Sequence, residues 1–135
     1  MEISFKNLSL VFAAGCLGGL VNSILVWFFG AIGITAAAGV HLAPPFTLPW
    51  LYPRLVWGGI WGVLFLIPWK WSYPLKGLVY SLGPSLVTFF LVLPLQAHKG
   101  LFGLQLGTLM PLFVLFYNAV WGLAAGLWLK WGEEK

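Results

Sequence analysis

The chain has 135 residues, 61% of them hydrophobic and 7% charged, with a mean hydropathy of +0.95. A soluble domain is about a quarter charged, so this composition excludes a water-facing surface over most of the molecule and leaves lipid as the medium. The net charge of +4 comes from six lysines and Arg54 against Glu2, Glu133 and Glu134, which excludes a basic face dense enough for nucleic acid.

One domain is expected at this length. Backbone amides in hydrocarbon need internal partners, which restricts the fold to helices or a closed barrel. Barrel strands alternate apolar and polar residues over about ten positions, whereas the apolar runs here continue for about twenty. The expected fold class is all-α: a polytopic membrane protein with four transmembrane helices packed as a bundle.

Residues 1–7 are a short polar start. The apolar run from Leu8 to about Ile34 is too long for a removable leader and reads as a first helix over 8–30. Gly15 and Gly19 have the GxxxG spacing that lets backbones approach closely in lipid, and Asn22 continues their stripe. Cys16 is the lone cysteine, so no internal disulfide forms, and it reads as a small packing residue.

Residues 31–50 are uncharged and carry Pro44, Pro45 and Pro49. The segment is too apolar for a free loop and too broken to span, so it is expected at the interface or dipping part-way in. A second helix is expected over 51–69, with Pro53 in its first turn, Arg54 able to reach headgroups, and Gly58 and Gly62 as its stripe. Trp69, Lys70 and Trp71 mark the far interface.

The third helix is expected over 76–93, with Gly77, Ser81, Ser85 and Thr88 along one face. Gly83-Pro84 should kink it and free a carbonyl that a hydroxyl can satisfy, and Pro94 should close it. The connection 95–108 is Gly-rich. The fourth helix, 109–130, has Pro111 in its first turn and Asn118, Gly122 and Gly126 at four-residue spacing.

A shift of sixty residues lays 55–71 on 115–131, matching Leu55 to Leu115, Trp61-Gly62 to Trp121-Gly122 and Lys70-Trp71 to Lys130-Trp131. A shift of sixty-two lays Gly15 on Gly77 and Ser23 on Ser85. A direct two-helix repeat and chance similarity in a narrow alphabet both account for this. Four crossings put Lys6, Lys70, Lys76, Lys130 and Lys135 on one side and Arg54 and Lys99 on the other. The excess of cations assigns both termini to the cytoplasm and the chain to the cell (inner) membrane.

All carboxylates lie at the chain ends, which argues against an intramembrane proton relay or an acidic cation ring. Ser/His/Asp catalysis lacks its Asp, and Cys16 sits mid-helix, away from His41 and His98. No catalytic residue, metal site or cofactor is expected. His41 and His98, in the two non-cytoplasmic connections, make a thin metal site and read as interfacial side chains.

Asn22, Ser81, Ser85, Thr88, Tyr117 and Asn118 admit two readings. They are hydrogen-bonding glue between helices, or they line a polar path for a neutral or anionic solute. Of the nine tryptophans, Trp50, Trp69, Trp71, Trp128 and Trp131 read as an aromatic belt. Trp57 and Trp61 form a ridge that packs on lipid or on neighbouring helices. The function expected is a non-catalytic structural or accessory membrane protein built for helix association, partnered by the bilayer and by further copies of itself or a larger membrane complex. The alternative is a homo-oligomeric channel or carrier.

Overall fold

A computed structural model describes residues 3–68, 70–96 and 98–133, the side chain of Glu133 excepted. Helix α1 (Phe5–Ala31) starts at Ser4, whose hydroxyl accepts the amide of Asn7 at 3.1 Å and so satisfies one orphan donor of the first turn. It stops before Gly33, whose φ of +86° is left-handed. A single turn, α2 (Ile34–Ala37), follows. The chain then runs without regular secondary structure past Pro44 and Pro45 to Thr47, whose backbone is extended.

Helix α3 (Leu48–Gly62) continues as a 3₁₀ turn over Val63–Leu66. It ends at Ile67, held extended with ψ 125° because Pro68 disfavours helical geometry in the residue before it. The next span is wound in three styles. Helix α4 (Tyr73–Tyr80) gives way at Ser81 to α5 (Leu82–Val87), and a π-helical stretch runs over Thr88–Gln96. The expected kink at Gly83-Pro84 is therefore a change of winding. Pro94 lies inside the π-helical stretch instead of closing the helix. Helix α6 (Met110–Glu133) completes the chain.

The structure is 77% helical, with no strand among the described residues. Three helical spans are long and apolar enough to cross a membrane: Phe5–Ala31, Tyr73–Gln96 and Met110–Gly132. The chain is a helical membrane protein. Helix α3, expected as a fourth crossing, has 15 α-helical residues and falls short of that length by itself.

Small residues decide which helices touch. Apolar side chains gain nothing from leaving lipid for one another, so association rests on close packing and hydrogen bonds. Helices α1 and α3 run antiparallel with Gly15 against Gly58 and Gly59, Gly62 on the carbonyl of Val11, and Gly19 on the carbonyl of Arg54. Helices α4 and α6 meet through Gly77 and Gly122, with Gly126 on the carbonyl of Tyr73. Gly18 lets the main chain and ring of Trp121 close on α1, which joins the two pairs.

Val11, Ala14, Phe65, Tyr80, Trp121, Ala125 and Leu129 form the core at one level. Val40, Phe89, Leu93, Met110 and Val114 form a second core where the two long connections meet. There the amide of His41 donates to the carbonyl of Leu106 at 2.8 Å. Bulky side chains such as Leu82, Leu86, Leu112, Phe116 and Trp57 face outward, while Gly62, Ser85 and Gly122 are buried.

A methyl group on Gly77 would meet the backbone of Gly122, which cannot yield as a side chain can. Gly77→Ala is expected to destabilise the protein by about 1–3 kcal/mol. Gly132→Ala, with nothing within 4 Å among the described residues, should be neutral or slightly stabilising. Thermal unfolding of the two variants in detergent, followed by circular dichroism, checks the difference.

Candidate functional site

Buried polar groups concentrate at three points between helices. The first joins α1, α3 and α6. Asn22 donates through Nδ2 to the main-chain carbonyl of Tyr117 at 2.6 Å and accepts at Oδ1 from Arg54 Nη2 at 2.6 Å. Arg54 Nε donates to Ser23 Oγ at 2.8 Å. The guanidinium also lies 4.7 Å from the centre of the Trp50 ring, within cation–π range. Asn22 is 6% exposed and Ser23 0%.

These contacts follow from the glycine register. With Gly19 against the backbone of Arg54, the arginine side chain reaches along α1 to the next polar positions, Asn22 and Ser23.

The second point is the indole of Trp121, whose Nε1–H lies 3.1 Å from the carbonyl of Gly15 and 3.3 Å from that of Gly58. Both carbonyls are reachable because neither residue carries a side chain, and each oxygen has a lone pair beyond its helical bond. One tryptophan thereby hydrogen-bonds to α1 and α3 from α6.

The third point lies between α6 and the wound span. Asn118 Nδ2 donates to Ser85 Oγ at 3.0 Å, and Ser85 donates to the carbonyl of Ser81 at 2.8 Å. Ser81 and Thr88 donate to the carbonyls of Leu78 and Pro84 at 2.6 and 2.7 Å. The hydroxyls thus close on carbonyls around the change of winding, where Pro84 supplies no amide donor.

The six packing glycines, Gly15, Gly19, Gly58, Gly62, Gly122 and Gly126, are all buried at helix contacts. The polar candidates fall into separate groups. Asn22 meets Tyr117 through its main chain, Asn118 meets Ser85, and Thr88 bonds only within its own span. The Tyr117 ring packs on Phe29, Phe113 and Phe116, and its hydroxyl is buried with no partner among the described residues. An apolar groove lined by Ala38, Leu109, Leu112, Phe113 and Phe116 touches none of the polar candidates.

His41 and His98 are exposed, and no group of three or more potential metal ligands occurs among the described residues. Lys76, grouped by sequence with the interfacial cations, is 5% exposed. Its Nζ lies 3.4 Å from the carbonyl of Ile67, as does the hydroxyl of Tyr80. That carbonyl is available because the 3₁₀ turn ends there.

Sequence reasoning missed Arg54 and Trp121 as members of the polar junctions. The signal for Arg54 was present: it is the one charge between Lys6 and Lys70. For Trp121 there was none, since its role depends on which carbonyls it meets. No family model, curated protein or solved structure matches the chain.

Asn118→Leu removes one interhelical bond and is expected to cost about 0.6 kcal/mol. Asn22→Leu strips an acceptor from the arginine as well and should cost about 2 kcal/mol. Tyr117→Phe deletes a buried hydroxyl that bonds nothing among the described residues and should be neutral or stabilising by up to about 1 kcal/mol. Chemical unfolding in a fixed detergent, with all three variants measured side by side, gives the ranking.

Proposed function

We propose that the protein is a non-catalytic structural or accessory membrane protein whose glycine stripes and polar junctions serve helix association. The observation that carries this reading is the use of the polar side chains. Asn22, Ser81, Ser85, Thr88 and Asn118 are engaged with neighbouring helices or their own carbonyls. A solute path would need several of them to converge on an open lumen.

The chain crosses the cell (inner) membrane four times in this reading, with both termini in the cytoplasm. The fourth crossing combines α3 with its 3₁₀ turn. Fifteen residues at ~1.5 Å and four at ~2 Å give about 30 Å, the thickness of the hydrocarbon core.

The two hairpins derive from one duplicated unit. In support, a methyl on Gly62 would stand 3.1 Å from the Cα of Gly15, and one on Gly122 would stand 3.1 Å from the Cα of Gly77. Those are the same pair of positions under shifts of sixty and sixty-two residues. The repeated tryptophans also face across the hairpins, Trp121 onto Gly18 and Trp61 onto Gly83. Exposed rings and leucines on the outer faces then meet lipid, further copies of the chain or a larger membrane complex.

Reconstituted into liposomes, the full chain is expected to leave chloride and glycerol fluxes at the level of empty vesicles, and crosslinking in native membranes should capture a defined homo-oligomer or partner. Flux above background that Asn118→Leu abolishes would replace this reading with the homo-oligomeric channel or carrier.

A further inference from the structure

Arg54 presents an electrostatic imbalance that no carboxylate among the described residues resolves. No Asp or Glu occurs from Ile3 to Gly132. Glu133 lies sixteen residues beyond Tyr117, about 24 Å along α6. The guanidinium is nevertheless fixed in place, by Asn22 Oδ1 at 2.6 Å, Ser23 Oγ at 2.8 Å and the Trp50 ring at 4.7 Å.

Both oxygen partners are neutral, so they orient the charge without cancelling it. Arginine has five N–H donors in a rigid fork. Two are engaged here, and the other three have no partner among the described residues. A half-buried guanidinium in lipid without a counter-charge is costly. A planar fork held open matches the paired oxygens of a phosphate group.

The surroundings indicate where that phosphate comes from. Trp27 near the end of α1 and Trp50 in the first turn of α3 flank Phe46, with ring centres 5.5 and 5.9 Å from it. Tryptophans at helix ends settle at headgroup depth, which places the guanidinium of Arg54 just below that level.

We propose that Arg54, positioned by Asn22 and Ser23 and stacked on Trp50, is a phosphate-binding site that takes the phosphodiester of an anionic phospholipid. Binding here is independent of whether the chain acts as a scaffold or a carrier, since it needs only the arginine at the lipid boundary.

The test uses the full chain in an uncharged maltoside detergent, with dioleoylphosphatidylglycerol, dioleoylglycerol and inorganic phosphate as probes. Retention is read by native mass spectrometry and thermal stability by scanning fluorimetry. Wild type is expected to bind phosphatidylglycerol at least about tenfold more tightly than the phosphate-free diacylglycerol, and Arg54→Gln should lose that preference. Arg54→Lys, a point charge without the fork, should retain only part of it.

If inorganic phosphate alone stabilises wild type but not Arg54→Gln, the site stands and its occupant is the free anion. Wild-type protein that prefers neither phosphate source over its control overturns the proposal, as does a folded Arg54→Gln that binds like wild type. Should Arg54→Gln fail to fold, Trp50→Leu is expected to weaken retention about threefold, and unchanged retention there overturns the proposal.

Discussion

Backbone contact between helices that carry no side chain at the point of meeting is the constraint on which everything else rests. Where Gly15 lies against Gly58 and Gly77 against Gly122, main-chain atoms of neighbouring helices come within van der Waals reach. At that separation a short polar side chain spans the gap. Asn22 reaches the carbonyl of Tyr117, and Trp121 reaches two glycine carbonyls. Were the helices held apart by even one methyl group, those bonds would lengthen and the buried polar groups would lose their partners.

The architecture was legible because lipid imposes simple rules. Uncharged runs of sufficient length had to be helices, and small residues at four-residue spacing had to mark the contact faces. Stripe positions such as Gly62, Gly122 and Ser85 are buried in the structure, and the large residues around them face out. Boundaries were less legible. The 3₁₀ continuation of α3 stops at Ile67, where Pro68 disfavours helical geometry in the residue before it, and the stretch over Thr88–Gln96 is π-helical with Pro94 inside it. Neither effect has a periodic signature.

The polar residues were recognisable as a set but not as partners. Spacing placed Asn118 and Ser85 on stripes, yet only the antiparallel register of α6 against the wound span brings them to 3.0 Å. Tyr117 contributes its carbonyl at the junction with Asn22, a role carried by any residue at that position. Lys76 reads as an interfacial cation by composition and is buried because the carbonyl of Ile67 and the Tyr73 ring receive it.

The π-helical winding of Thr88–Gln96 has a bearing on how this chain can vary in length. Removing one residue from an ordinary α-helical span turns everything beyond it by about 100° and carries its contact face away from its neighbours. A stretch wound with five-residue bonds holds surplus residues for its turns, and relaxing to the tighter winding can absorb such a loss. Single-residue deletions tolerated within the membrane should therefore concentrate between Thr88 and Gln96, leaving α1 and α6 fixed in length.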